Sequence, residues 1–396
     1  MAGNERMSKA HIRIAGAYEH PGRELPDHSV AQIHAEAARG ALADAGLDLS
    51  DVDAYFCAGD APGFGAVSMA EYIGLSGDQL RYVDTTEAGG ASYLSHIGHA
   101  AAAIAMGRCS IALITLGGKP RTGGSPPGGS MRGENPPEAP FEHPYGPTQP
   151  ALYALAARRH MYEFGTTSRD LAEIKVAASK HAIHNPRAFL RKEVTVEEVL
   201  DSPMVADPLH RLDCCVITDG GGALILTSVD VAKSLTRQTV SVLGQAEAPK
   251  TADNGRIDLT YTAARWTGPR AFAEAGVTPS DVDYASIYDS FTITVLEAIE
   301  DLGFCEKGEG GRFVRDGALV APYGKLPFNT DGGGLCNNHP ANRGGMTKVI
   351  EAVRQLRGEA ASEVQVPDCE IALAHGNGGA LGTRMHGATV ILGREA

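Results

Sequence analysis

The chain has 396 residues, of which 43% are hydrophobic and 21% are charged, a composition typical of a globular protein with a large apolar core. Its formal net charge of −13 argues against a nucleic-acid partner, because proteins that bind nucleic acid present a basic surface. The longest apolar run, AAAAIAM at 100–106, is far too short to span a bilayer, so no membrane anchor is expected.

The first elements in chain order predict strands that alternate with helices. The segment before residue 17 has no long apolar stretch, so no signal peptide is expected, and IRIAGAY at 12–18 predicts a strand. A helix follows Ser29, which has Gln32 three residues later in a capping-box pattern, and Gly46 ends this helix. The alternation continues to residue 118 and predicts a largely parallel sheet covered on both faces.

The predicted helix at 88–106 is unusual because it consists almost wholly of small residues. Glycine and alanine dominate it, and no charged residue occurs between Glu87 and Arg108. Small side chains allow close backbone packing. We therefore expect a central helix that is buried between two sheets.

Residues 117–150 contain nine prolines and eight glycines, which exclude long regular structure. The segment is too long for a passive connector and predicts a functional flap or an oligomer arm. Helices are predicted at 151–165 and 169–186. We interpret 117–210 as an insertion on the first half of the chain.

Two segments 230 residues apart repeat each other. Residues 41–53 read ALADAGLDLSDVD and residues 271–283 read AFAEAGVTPSDVD, and IALITLGG at 111–118 is echoed by IALAHGNGG at 371–379. A repeat at this distance predicts two homologous α/β halves, 1–230 and 231–396. The seam between two such halves is a natural place for an active site.

The second half carries motifs that occur in a fixed order. They are YDSF at 288–291, NTDGGGL…HP at 329–340, VRQLRGE at 353–359 and HGNGG at 375–379. Together with HNPRA at 184–188 and DCCVITDGGGA at 213–223, they resemble the thiolase superfamily, and most closely its sterol-carrier-protein type thiolases and thiolase-like aldolases. The resemblance covers nearly the whole chain. It implies a duplicated, five-layered αβαβα fold, a homodimer and a coenzyme A thioester substrate, with no tightly bound cofactor.

The sequence departs from the family pattern at the nucleophile. The family's reactive cysteine should begin the helix near residue 88, but no cysteine lies between 58 and 108, and Glu87 aligns with that position. His375 stands where the second family cysteine is expected, and His339 of the HP motif is retained. Tyr288 replaces the family's Asn or His before Asp289.

This set of residues favours acid–base chemistry over acyl transfer through sulfur. Glu87, Tyr288, His339 and His375, with Asp289 beside them, could serve a retro-aldol cleavage of a β-hydroxyacyl-CoA, which needs a base for the hydroxyl proton and an acid and oxyanion donors for the enolate. Thiolase-like aldolases that shorten steroid side chains use such chemistry with an OB-fold partner. The resemblance therefore implies a possible OB-fold or zinc-ribbon partner protein and a role in lipid or steroid degradation.

Two alternatives stay open at this point. One is a thiolase-type acyltransferase with an altered nucleophile, for which Cys336, three residues before His339, is a candidate; the other is a non-catalytic protein that binds lipid-CoA or a partner. Backbone N–H groups of glycines and two basic side chains are the candidate coenzyme A contacts: Gly333, Gly334, Gly378, Gly379, Arg187 and Arg191. No metal site is expected from the ligand spacing, and seven scattered cysteines suit a reducing cytoplasm.

Overall fold

The computed structural model describes residues 12–124, 139–340, 344–381 and 384–395. The strands are β1 (Ile12–Glu19), β2 (Ala54–Cys57), β3 (Tyr82–Thr85), β4 (Ile111–Gly118), β5 (Met204–Ala206), β6 (Leu209–His210), β7 (Gly220–Ser228), β8 (Val240–Lys250), β9 (Tyr284–Ile287), β10 (Ile371–Ala380) and β11 (Arg384–Arg394). The helices are α1 (Val30–Ala45), α2 (Ala66–Ile73), α3 (Ser92–Ala105), α4 (Ala139–Glu142), α5 (Gln149–Phe164), α6 (Ser168–Ala182), α7 (Val196–Leu200), α8 (Val229–Ala232), α9 (Ala264–Ala275), α10 (Thr292–Asp301), α11 (Gly310–Phe313), α12 (Gly333–Cys336) and α13 (Gly345–Arg357).

Nine of these strands form a continuous sheet in the order β3-β2-β4-β7-β1-β8-β11-β10-β9. Strands from before residue 230 occupy one side and later strands the other, and they meet through a short β1–β8 pairing. The expectation of a largely parallel sheet was wrong, since among the described strands three neighbouring pairs of this sheet are parallel and five are antiparallel. The sheet is mixed because returning strands such as β10 and β11 pair as hairpins, without a crossover helix.

The helices form three layers: one packs on each side of this sheet and one lies between the two sides. Together with the two sides of the sheet, they give the five-layered α/β architecture. One apolar cluster packs α1 and α2 against the first strands, and another packs α5, α6, α9 and α10 against the last. Between them, α3 and α13 share a central cluster with residues from both sides of the sheet. The predicted central helix is confirmed: apart from His99, Ala102 and Ala105, every residue of α3 is buried.

The sequence repeat corresponds to a structural repeat. Helices α1 and α9 both end at a left-handed glycine, Gly46 and Gly276, and a single 3-10 turn leads from each into β2 or β9. The Asp53 carboxylate accepts the backbone N–H of Ile111 at 2.8 Å, and the Asp283 carboxylate accepts that of Ile371 at 2.9 Å. The last aspartate of each SDVD motif therefore anchors the first residue of the neighbouring strand, β4 or β10.

Other local predictions agree with the structure where it describes the chain. The capping box of Ser29 and Gln32 is present at the start of α1. Residues 125–138 of the predicted loop and residues 341–343 at the predicted start of α13 lie outside the described residues. Within the described ranges, no helix has both the length and the apolar content needed to cross a bilayer.

Candidate active site

A cavity of about 270 Å³ lies where the ends of β9 and β10 meet the approach to α3. Tyr288 follows β9, Asn377 belongs to β10, and Gly90 lies in the 3-10 turn just before α3. Other elements complete the wall: Gln149, Pro150 and Tyr153 from α5, Val205, Cys214, Cys215, Ile217, Ser290, Phe291, His339, Gly378 and Gly379. The strand ends of the second half and the start of the central helix of the first half thus share one site.

Tyr288 and His339 form a hydrogen-bonded pair on this wall. The Tyr288 hydroxyl and His339 Nε2 are 2.8 Å apart, and the two rings meet edge to face with centroids 5.5 Å apart. Gly90 packs against this pair, since a Cβ on Gly90 would lie only 2.4 Å from Tyr288 Cε2. The close approach of a glycine therefore leaves the space in which the tyrosine ring sits.

Burial keeps both members of the pair neutral. Desolvation lowers the pKa of His339 to about 4 and raises the pKa of Tyr288 well above its usual value. At neutral pH the pair therefore holds one phenolic proton and one imidazole proton. Within the described residues, His339 Nδ1 has no hydrogen-bond partner.

Asp289 lies behind the wall and organises the glycine turn. Its carboxylate accepts the backbone N–H groups of Gly334 at 2.8 Å and Leu335 at 3.1 Å. Lys348 lies 2.8 Å from the same carboxylate, and both charged side chains are buried. Asp289 is not among the described residues that line the cavity, so its place in the structure is that of a support for the turn.

The four candidate glycines separate into two pairs. Gly378 and Gly379 line the cavity. Gly333 and Gly334 do not reach it, because their N–H groups bind the carboxylates of Asp331 and Asp289. This structure leaves neither N–H group of the second pair for a ligand, contrary to the expectation from the sequence.

His375 is fully buried one residue layer behind the cavity. Its Nε2 lies 3.0 Å from Asn377 Oδ1 and its Nδ1 lies 2.8 Å from Thr389 Oγ1. Burial lowers the pKa of His375 to about 4, so the ring is neutral. The cavity residue is instead Asn377, which sequence reasoning missed, although the glycines around it were a signal of close backbone approach.

Glu87 lies outside the cavity among the residues described. It is exposed, and its carboxylate accepts backbone N–H groups from Gly89 at 2.9 Å and Asp60 at 3.2 Å. Partial desolvation raises its pKa, against the effect of the Gly89 hydrogen bond. The structure places Glu87 as a carboxylate that caps the turn before α3.

Two thiols line the cavity, a position that the sequence did not indicate. Burial raises the pKa of Cys214 to about 12 and raises the pKa of Cys215 further, so both sulfurs are protonated at neutral pH. Cys336, the candidate from the sequence, is buried away from the described wall, where its Sγ lies 3.1 Å from Lys175 Nζ. Its pKa is also raised by burial, in spite of the nearby ammonium.

The two candidate basic residues lie on an exposed loop after α6. Arg191 donates to the carbonyl of Ile183 at 3.3 Å, and the Arg187 backbone N–H binds the Asn185 side chain. The N–H of Leu190 in the same loop donates to the carbonyl of Cys336, three residues before His339, at 2.8 Å. Neither arginine is among the described cavity residues, and both side chains are exposed to solvent.

One group of described side chains has the spacing of a metal site, outside the cavity. The ligand atoms of His20, His28 and Glu36 all lie within 4.8 Å of one another. However, His20 Nδ1 accepts the N–H of Gly22, which places the His20 proton on Nε2, directed at Glu36 at 2.9 Å. A metal on Nε2 would displace that proton, so the hydrogen bonds here fit a His–Glu pair better than a metal.

The sequence of this chain is similar to that of known proteins. The family model described as thiolase C-terminal domain-like matches residues 246–394. The chain is 38% identical to the acetyl-CoA acetyltransferase of Methanothermobacter thermautotrophicus, over 94% of this chain and 97% of that protein. It is 36% identical to the 17-hydroxy-3-oxo-4-pregnene-20-carboxyl-CoA lyase of Mycobacterium tuberculosis, over 84% of this chain and 88% of that protein.

A solved structure with the same fold is also similar in sequence. The Ltp2-ChsH2(DUF35) aldolase superposes with a TM-score of 0.87 at 31% sequence identity, over 97% of this chain and 98% of that chain. The relatives therefore include an acetyltransferase, a lyase and an aldolase.

Proposed function

This chain belongs to the thiolase superfamily and is an enzyme that acts on coenzyme A thioesters, and from that premise we propose that it cleaves a β-hydroxyacyl-CoA by a retro-aldol reaction. The bond between the α and β carbons breaks, the hydroxyl carbon becomes a carbonyl, and the α carbon leaves as the enolate of a shorter acyl-CoA. One proton leaves the hydroxyl and one reaches the α carbon, so the reaction balances without a redox cofactor. Coenzyme A takes part only as a portion of the substrate.

The Tyr288–His339 pair is the observation that carries this proposal. As the hydroxyl proton moves to the Tyr288 oxygen, the phenolic proton moves to His339 Nε2, 2.8 Å away. The reverse transfer delivers a proton from Tyr288 to the α carbon of the enolate. Because the pKa of His339 is lowered to about 4, its imidazolium returns the proton readily.

The protonation state of the two cavity thiols also supports the proposal. A cysteine attacks a thioester as its thiolate, and burial keeps Cys214 and Cys215 protonated. In the structure no side chain of a described histidine or lysine makes a hydrogen bond to either sulfur, and the Cys214 thiol donates to the backbone carbonyl of His210 at 3.4 Å. An acyl-enzyme route would therefore have to form its nucleophile against a raised pKa, whereas the retro-aldol route needs no nucleophile.

The acyl group and the partner are proposed from the relatives. The lyase of M. tuberculosis is named for a steroid acyl-CoA with a tertiary hydroxyl, which is a β-hydroxyacyl-CoA, and we propose a substrate of that class. The Ltp2-ChsH2(DUF35) aldolase is named with a DUF35 component, and we propose that this chain also works with an OB-fold or zinc-ribbon protein of that kind.

We also propose that the protein is a homodimer, in a reducing cytoplasm. Strand β3 lies at the edge of the sheet, where Val83 and Thr85 are exposed. Helix α2, which packs beside it, exposes Val67 and Tyr72. These exposed apolar side chains beside an unpaired strand edge form a surface that a second copy of the chain could cover.

The test is to incubate the protein with 17-hydroxy-3-oxo-4-pregnene-20-carboxyl-CoA, with and without the DUF35 component of the similar aldolase. The expected products are the 17-ketosteroid and propionyl-CoA, each detected by mass spectrometry. Treatment with iodoacetamide tests whether the thiols are needed, and peptide mass spectrometry measures the alkylation of Cys214 and Cys215. The added carboxamidomethyl groups can themselves block the cavity. The decisive control is therefore the Cys214→Ala/Cys215→Ala variant, and complete loss of cleavage in this variant would contradict the proposal.

A thiolase-type acyltransferase is the second candidate, because the acetyltransferase relative shares 38% identity and Cys215 lies on the cavity wall. This function predicts a mass increase of one acetyl group after incubation with acetyl-CoA. Intact-mass spectrometry of the wild type and the Cys215→Ala variant separates the two functions. An acetyl adduct that Cys215→Ala abolishes would favour the acyltransferase.

A further inference from the structure

Asn377 presents an unused hydrogen-bond donor at the cavity wall. The residue is 2% exposed, and its Nδ2 is buried without a hydrogen-bond partner among the described residues. A buried amide N–H₂ group without a partner is costly in a protein that has no ligand bound. Such a group on the wall of a cavity therefore indicates a ligand atom that accepts its hydrogen bond.

The orientation of the Asn377 amide is set from behind by His375. Neutral His375 can donate from one nitrogen and accept at the other, and its Nε2 faces Asn377 Oδ1 at 3.0 Å. Its Nδ1 faces Thr389 Oγ1 at 2.8 Å, and Thr389 Oγ1 lies 2.7 Å from Thr267 Oγ1. With the amide oxygen engaged by His375, the N–H₂ group is the part that remains for the cavity.

We propose that Asn377 is a catalytic residue whose Nδ2–H group binds the thioester oxygen of the substrate and stabilises the negative charge of the enolate. This inference rests on the retro-aldol function proposed above and supplies the oxyanion donor that this reaction needs. His375 is a positioning residue because it contacts Asn377 and does not line the cavity, and Thr389 supports His375 from its other ring nitrogen.

Asn377 and the Tyr288–His339 pair are placed so that they can contact different groups of one substrate. A Cβ on Gly90 would be 2.4 Å from the backbone carbonyl oxygen of Asn377 and 2.4 Å from Tyr288 Cε2, so the two residues flank the same glycine. Tyr288 and His339 handle the hydroxyl proton on one side, and Asn377 holds the thioester oxygen on the other. The protein then contacts both substrate groups that flank the breaking bond, the hydroxyl on the β carbon and the thioester oxygen next to the α carbon.

The first experiment replaces Asn377 by Ala and by Asp in the full-length enzyme, with its partner protein where cleavage requires it. Both variants should lower kcat by about 10²- to 10³-fold, as expected for the loss of one oxyanion donor, with KM changed by only a few-fold. Asp has the shape of Asn but no amide donor. The matched control is Asn254→Asp on the exposed 3-10 turn, which should leave kcat unchanged.

The second experiment does not require turnover. A coenzyme A thioester analogue without the β-hydroxyl, labelled with ¹³C at the thioester carbonyl, is bound to each variant and examined by difference infrared spectroscopy. The Asn377 hydrogen bond should lower the carbonyl frequency in the wild type, and Asn377→Ala should raise it. This comparison still decides the role of Asn377 if no β-hydroxyacyl-CoA is cleaved, so failure of the proposed function is distinguishable from failure of this inference.

Positioning by His375 is tested by a conservative and a non-conservative variant. A glutamine side chain can donate to Asn377 Oδ1, whereas leucine cannot, so His375→Gln should keep at least ten times more activity than His375→Leu. The carbonyl frequency should shift in the same order. An unchanged frequency in Asn377→Ala, a wild-type frequency in Asn377→Asp, or a loss confined to KM would each overturn the proposal.

Discussion

The ammonium of Lys348 lies 2.8 Å from the carboxylate of Asp289, and both side chains are buried beside the Tyr288–His339 pair. Asp289 connects the end of β9 to the glycine turn through its hydrogen bonds to Gly334 and Leu335. Burial alone would lower the pKa of Lys348, but the nearby carboxylates of Asp289, Asp331 and Glu351 together outweigh this effect and raise it. Lys348 therefore stays charged, and it balances the Asp289 carboxylate, which together with Asp331 holds the glycine turn in place.

The first prediction concerns this ion pair. Lys348→Met should destabilise the protein by about 3–5 kcal/mol, because it leaves the Asp289 charge buried and uncompensated. Urea denaturation followed by circular dichroism measures the effect. Lys233→Met is the control, since this exposed pair with Asp230 should contribute about 0–1 kcal/mol. Equal effects of the two changes would contradict a buried charged pair.

The second prediction concerns the Tyr288 hydroxyl. Tyr288→Phe keeps the buried ring but removes the proton relay, so kcat for cleavage should fall by about 10²- to 10⁴-fold. Steady-state kinetics, together with a thermal melt to show that the fold is kept, checks this outcome. Tyr323→Phe is the matched control, because Tyr323 is 85% exposed. Retention of full activity by Tyr288→Phe would exclude the relay.

The third prediction concerns the pH dependence of cleavage. His339 must be neutral to accept a proton, and burial lowers its pKa to about 4. The value of kcat should therefore stay flat as pH falls from 7 to 5 and should decrease only below about pH 5. An acid limb with an apparent pKa near 6.5, the ordinary value for histidine, would show that His339 is solvated in the working enzyme.

The fourth prediction links His96 to stability. His96 is buried on α3, both of its ring nitrogens lack partners among the described residues, and burial lowers its pKa to about 4. The unfolded chain binds a proton at this residue below about pH 6.5, while the folded protein does not until about pH 4, so stability falls as pH falls through this window. His96→Leu removes this loss. The free energy of unfolding of His96→Leu relative to wild type should therefore rise by about 2 kcal/mol as the pH falls from 8 to 5.

The measurement is urea denaturation of both proteins at the two pH values. The comparison is a difference between pH values, so any change in packing that leucine causes cancels. A constant difference between variant and wild type would mean that His96 is already protonated, or solvated, in the folded protein.

The fifth prediction concerns the glycine between the two sides of the site. Gly90→Ala places a Cβ 2.4 Å from both the backbone carbonyl oxygen of Asn377 and the Tyr288 ring, so it must displace both of them or shift residue 90 itself. We expect destabilisation by about 1–3 kcal/mol and a larger relative loss of kcat than of substrate binding. Gly77→Ala is the control, because a Cβ at Gly77 meets no atom within 4 Å. Wild-type kinetics for Gly90→Ala would contradict the packing described here.

Much of the local structure was predictable from the sequence because it depends on neighbours along the chain. The capping box at Ser29, the glycine stops at Gly46 and Gly276, and the buried small-residue helix α3 follow from short patterns. The repeat also indicated two similar halves, and the ordered motifs indicated the superfamily. Tyr288 and His339 stood out because each belongs to one of those motifs.

The tertiary structure decided which of the candidates meet. Tyr288 and His339 are 51 residues apart and touch, whereas Gly333 and Gly334, in a motif that looks equally suited to a ligand, bind carboxylates of the protein. His375 is hidden behind Asn377, and Cys214 and Cys215 reach a wall to which no sequence pattern assigned them. The physical reason is that a motif defines the groups a segment offers, while strand pairing and helix packing between distant segments determine which of these groups are satisfied inside the protein and which face the cavity.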